Sequence, residues 1–140
     1  LKTTLKFSLV AAVLAITGCA APEPIDPARM AEAQRFVSEF AGKIGPAVFI
    51  SNECPNYRMN PAEESKLQYE MLMEMSERGI APREVDRALD TAQSEVAILR
   101  SLVEYSQRRN VQLDDQASVC RAGDYERRNN TAIGKMLVRI

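Results

Sequence analysis

The chain has 140 residues, with 18 Lys+Arg against 19 Asp+Glu and no histidine. Charge this evenly mixed argues against a nucleic-acid binder, which needs a clustered basic face. The missing histidine removes His-based triads, most zinc sites and the usual general base near pH 7.

The first segment reads as a leader. Lys2 and Lys6 precede an apolar run from Phe7 to Ile16. A helix crossing a bilayer core needs roughly 20 apolar residues, so this run fits the h-region of a secretory signal instead. Thr17 and Gly18 are small, as a cleavage site requires, and Cys19 follows. The order of basic start, apolar run, small residues and cysteine resembles the lipobox of bacterial lipoproteins. That resemblance implies a signal peptide over 1–18 and a diacylglyceryl group on the Cys19 sulfur. Two acyl chains hold durably where one holds marginally, at ~0.8 kcal/mol per buried CH₂. Ala20, where Asp tends to retain a lipoprotein at the inner membrane, favours the outer membrane. The alternative is a chance cysteine beside an ordinary cleavage site.

Removing the two leader lysines from 18 leaves 16 basic against 19 acidic groups, a net of −3 for residues 19–140. Residues 19–27 form the lipidated N-terminus and a proline-rich tether, extended at ~3.1 Å per residue. Residues 28–140 are long enough for one domain with a real core.

Asp26-Pro27 reads as an N-cap followed by Pro at the first helical position. Met30, Ala33, Phe36, Val37, Phe40 and Ile44 then form one helix face. Gly45-Pro46 is expected to break or kink this helix. Ala47 to Ile50 is a short apolar run, helix or strand by itself, read as helix from its surroundings. Asn60-Pro61 opens the next helix, with Glu63 placed for a capping box, and Leu67, Met71, Leu72 and Met75 share a face. Gly79-Ile80 predicts a Schellman-type end. Ala81-Pro82 starts a short helix through Val85 and Leu89. A longer one follows, with Ala92, Val96, Leu99 and Val103 as its stripe, widened by Ile98 and Leu102, and ending near Asn110. Asp114 or Asp115 caps a last helical region carrying Cys120, Ile133, Met136 and Leu137, which Gly123 would divide. Gly134 would allow a close helix contact. Periodicity is helical throughout, so the expected fold is all-α, a small disulfide-stapled helical bundle.

The staple is Cys54–Cys120. Two thiols in an exported domain favour pairing in an oxidising compartment, with two free buried thiols or a metal site as alternatives. A metal site is poorly supported, since no Cys-x-x-Cys or acid cluster at ligand spacing occurs.

No catalytic, cofactor-binding or metal-binding residues emerge. The six glycines form no phosphate loop. Glu63-Glu64 and Asp114-Asp115 sit where helix first turns favour negative charge. Met71 and Met75 read as core packing rather than copper ligands, with Met73 pointing elsewhere. Asn129-Asn130-Thr131 matches a glycosylation sequon that bacterial export would leave idle. The Arg108-Arg109 and Arg127-Arg128 pairs read as solvated helix surface or, more weakly, as contacts to anionic headgroups.

Three further stretches carry a family likeness: Ile50 to Pro55, Glu77 to Val85, and Val119 to Gly123 followed by Ala132-Ile133-Gly134. On these, residues 30–138 resemble a small alphaproteobacterial family of exported proteins without an assigned function. The resemblance implies an exported helical domain with Cys54 and Cys120 paired, and supplies no catalytic residue.

Function is therefore expected to be non-enzymatic: a lipoprotein tethered to the membrane by Cys19, binding or stabilising another envelope component, with no nucleic acid, cofactor or small-molecule substrate. The alternative is a periplasmic acid-stress chaperone. An enzyme reading would rest on carboxylates or on Tyr57, Tyr69, Tyr105 and Tyr125.

Overall fold

A computed structural model describes residues 23–140. The leader and Cys19 lie outside the described residues. The elements in chain order are α1 (Pro27–Glu53), β1 (Tyr57–Met59), α2 (Pro61–Glu77), α3 (Pro82–Leu89), α4 (Ala92–Arg109), α5 (Gln116–Arg128), α6 (Ala132–Lys135) and β2 (Leu137–Arg139). The fold class is all-α.

Asp26 starts α1 by accepting the Ala28 amide at 2.9 Å and the Arg29 amide at 3.3 Å. The helix then extends on the order of 40 Å at 1.5 Å per residue, and it does not stop at Pro46. Proline there removes one backbone bond and presses on the preceding turn, at ~3 kcal/mol. Burial offsets this: Ala47, Ile50 and the Pro46 ring are all closed off from solvent. Gly45 contributes too, because a β-carbon at this position would stand 3.1 Å from Ser101 Oγ on α4.

The Gly45-Pro46 signal marks a change of partner instead of a helix end. Before it, Ala33, Phe36 and Val37 pack with Met75, Ile80, Val85 and Ala88. After it, Ala47 and Ile50 pack with Cys54, Tyr57, Tyr105, Val119, Ala122 and Leu137. One rod thus carries two cores. The Cys54–Cys120 disulfide staples the second, with Cα atoms 5.2 Å apart.

Asn60 caps α2 by accepting the Ala62 amide at 3.1 Å. The expected capping box with Glu63 does not form, because the Asn60 amide donates to the Met136 carbonyl at 2.8 Å. That bond extends a short antiparallel ladder that the sequence periodicity did not suggest, with Tyr57 opposite Arg139 and Met59 opposite Leu137. The Schellman end forms as expected. Gly79 has φ +65°, the Ile80 amide donates to the Met75 carbonyl at 2.8 Å, and the Gly79 amide donates to Ser76 at 3.1 Å.

Two expectations about faces are corrected. On α4, Val96, Leu99 and Val103 are 52%, 61% and 47% exposed, whereas Ser94 and Tyr105 are buried. Ser94 turns inward to donate to the Ala88 carbonyl at the end of α3, and the small Ser101 lies against Gly45 of α1. On α2, Met75 is buried, but Leu72 is 56% exposed. Gly123 does not divide the last helical region. It lies within α5, where its own β-carbon would come 2.7 Å from the Tyr57 ring. The division falls at Asn129-Asn130, with Asn130 at φ 48°, and Thr131 caps α6 by accepting the Gly134 amide at 3.0 Å.

Candidate functional site

The N-terminal core closes only on one side. Met75 and the Ile80 turn pin the C-terminal end of α2, and the rest of α2 stands off from α1. This leaves an open groove of about 530 Å³. Phe40, Ile44 and Val48 of α1 form its floor, Leu67 and Met71 of α2 form one wall, and Leu89, Ile98 and Leu102 form the other. Along α1 it reaches from Phe36 to Asn52, about 24 Å of helix. Glu64 is the charged residue that lines it, with Asn52 and Gln68 as polar neighbours. Leu99 and Val103, which follow Ile98 and Leu102 along α4, are exposed and do not line the groove.

The α2 wall is anchored electrostatically. Arg78, after the last turn of α2, donates to Glu39 at 2.6 Å, to Glu74 at 2.5 Å and to Glu32 at 3.4 Å. Its guanidinium also lies 5.6 Å from the Phe36 ring centre. The hydrogen bond to Glu39 raises the already high Arg78 pKa further, so the guanidinium stays charged. A second tie joins α1 to α3. Arg29 donates to Glu84 from Nε at 2.6 Å and from Nη2 at 3.0 Å. Glu84 also accepts the Ala81 amide at 2.8 Å. Arg29 first, then that amide, hold the Glu84 carboxyl below its ordinary value.

The stapled core holds a buried polar network. Glu126 is wholly buried and accepts from Tyr105 Oη at 3.2 Å, from Arg109 Nε at 2.9 Å and from the Thr131 hydroxyl. Burial, then the Glu126 charge, push the Tyr105 phenol well above its usual range. Tyr57 donates to Asp124 at 2.6 Å, and its phenol is raised by burial and then by that bond. The sequence carried no signal for Glu126 as a buried charge.

The residues weighed for chemistry are scattered. Tyr57 and Tyr105 serve different carboxylates, while Tyr69 and Tyr125 are exposed. Met71 and Met75 turn inward and Met73 is 45% exposed, so the three thioethers do not converge. Glu63 and Glu64 occupy the first turn of α2. Asp115, rather than Asp114, caps α5 by accepting the Ala117 amide at 3.0 Å. Arg109 departs from the solvated-surface reading through its bond to Glu126. Among the described residues, no three His, Cys, Asp or Glu side chains gather where a metal ion could sit. No described helix is long and apolar enough to cross a membrane.

The domain is thus predominantly helical, disulfide-stapled and opened on one side by an apolar groove. Residues 30–138 match the model of a family of unknown function, DUF5333, and the chain belongs to that family. No curated protein and no solved structure matches it.

Proposed function

We propose that the chain is a non-enzymatic lipoprotein of the bacterial envelope. Cys19 anchors it, with the outer membrane favoured by Ala20, and its helical domain binds another envelope component in the groove between α1 and α2. The groove is the observation that carries this reading. A groove lined almost wholly by apolar side chains is the surface into which a partner segment lays its own apolar face. The occupant is the apolar face of an amphipathic helix. About 24 Å of groove matches roughly four helical turns, room for two successive sets of i, i+3, i+4 and i+7 anchors, each set spanning about two turns. Glu64, with no basic residue lining the groove, selects a partner with a Lys or Arg at that end.

The test is site-specific photo-crosslinking in cells with the full chain, with the crosslinker at Leu67 or Leu102 and a control at Arg35. Groove positions should capture one envelope protein through a segment with helical apolar spacing, and the control should not. Capture of phospholipid only, of a second copy only, or equal capture at Arg35 overturns the docking reading. Separately, Cys19→Ser should move the protein out of the membrane fraction. Retention of this variant overturns the anchor.

The outward stripe of Val96, Leu99 and Val103 favours a second reading, a stress chaperone that holds apolar clients. Suppression of client aggregation at low pH by the purified chain, lost in Leu99→Lys, would distinguish it.

A further inference from the structure

A second cleft lies at the opposite end of α1 from the tether, between the last turn of α4 and α5. Its volume is about 560 Å³, within the ~300–1,000 Å³ of ordinary ligand sites. Arg108, Arg109, Arg121 and Arg128 line it, together with Ser118 and Tyr125, and no carboxylate is among its lining residues. This concentration of positive charge stands on a chain whose formal net charge is −1.

Arg109 is held in place before any ligand arrives. Its Nε donates to the buried Glu126 at 2.9 Å, and its guanidinium carbon lies 4.5 Å from the Tyr125 ring centre. Among the described residues neither Nη group has a hydrogen-bond acceptor, so the outer edge of the guanidinium remains available. The other arginines are only lightly engaged. Arg121 Nη2 is 3.6 Å from Asp115 Oδ2, beyond hydrogen-bond reach. Arg128 uses its Nε on the Asp124 carbonyl at 3.2 Å. Ser118 Oγ accepts the Gln112 amide at 3.0 Å and keeps a hydroxyl proton to donate. Counting Glu126 and Asp115 against the four arginines still leaves the cleft with two positive charges in excess.

The geometry points to a binding site for a phosphate-bearing anion, supplied either as a soluble phosphate compound or as the headgroup of an anionic lipid. Guanidinium groups match phosphate oxygens in paired, charge-assisted hydrogen bonds. A preset Arg109 loses little freedom on binding, while Arg108, Arg121 and Arg128 close around the remaining oxygens. This site is separate from the apolar groove and does not depend on what occupies it.

The test uses the full chain in neutral detergent, titrated calorimetrically with inorganic pyrophosphate. In parallel, the same protein is presented to phosphatidylglycerol and phosphatidylcholine bilayers in nanodiscs. The variant is Arg121→Glu with Arg128→Glu, both exposed, and the equal-charge control is Arg58→Glu with Arg100→Glu. An unchanged melting temperature shows that the variants are folded. Pyrophosphate binding weakened about tenfold or more in the cleft variant but not in the control supports a soluble ligand, since tenfold is the scale of one charge-assisted bond. A loss confined to the phosphatidylglycerol discs supports a headgroup. No binding to either probe, or equal losses in the cleft variant and the control, overturns the site.

Discussion

The backbone carbonyl of Glu126 lies against the α-carbon of Gly134, so closely that a β-carbon at 134 would overlap it. The turn at Asn129-Asn130 folds α6 back onto α5, and only glycine fits at the contact. Gly134→Ala should therefore destabilise the fold by ~1–3 kcal/mol, the usual range for overpacking a tight site. Urea unfolding measures it. A change within about 0.5 kcal/mol of wild type, typical of a neutral surface site, would contradict the contact.

The disulfide spans 66 residues. Chain-entropy arguments assign such a loop ~4 kcal/mol. Cys54→Ser combined with Cys120→Ser should lower the urea midpoint correspondingly, and dithiothreitol should shift the wild type toward the variant without shifting the variant itself.

Glu84 and Arg29 give a signed pH dependence. The Glu84 carboxyl is held below its ordinary 4.5, so the folded state takes up its proton less readily than the unfolded state does. Its contribution is complete above that ordinary value and is lost as the pH falls through 4.5 toward the folded value. Melting temperature should fall on acidification from about pH 5 to pH 3, and Glu84→Gln should flatten that fall. Parallel curves for the two proteins would remove Glu84 from the account.

Leu99 and Val103 lie outside the core despite their helical spacing. Leu99→Lys with Val103→Lys should leave stability within ~0.5 kcal/mol, while lowering the binding of a hydrophobic dye to the folded protein. Buried positions would instead lose several kcal/mol on the same change.

Much of the helix punctuation was legible because it is local chemistry. Asp26, Asn60 and Asp115 cap with their own side chains, and Gly79-Ile80 closes α2 within one turn. The pairing of Cys54 with Cys120 followed from cysteine count and the expected compartment. What escaped depends on contacts distant in the chain. Pro46 stays helical because tertiary burial outweighs a local penalty. The α4 stripe falls on the exposed face because periodicity finds apolar rows, while the inward positions are taken by Ser94, bonded to the Ala88 carbonyl, and by Ser101 against Gly45 of α1. The Asn60 amide was expected to meet Glu63, yet it meets Met136, 76 positions later. Neither the groove nor the arginine cleft is a motif: Arg108 and Arg121 look like ordinary surface charge until α4 and α5 are placed side by side.

The two cores along α1 differ in how they are closed. The core beyond Pro46 has a covalent staple and a buried ionic network. The core before it relies on Met75, Ile80 and the Arg29–Glu84 and Arg78 ties. The two halves should therefore open as separate cooperative units, with amide exchange faster in α2 and α3 than in α5. Tension applied through the residues ahead of Asp26 enters the fold at the Arg29–Glu84 clasp. That half would act as a mechanical fuse, peeling α3 and α2 away while the stapled half stays folded and keeps its arginine cleft intact.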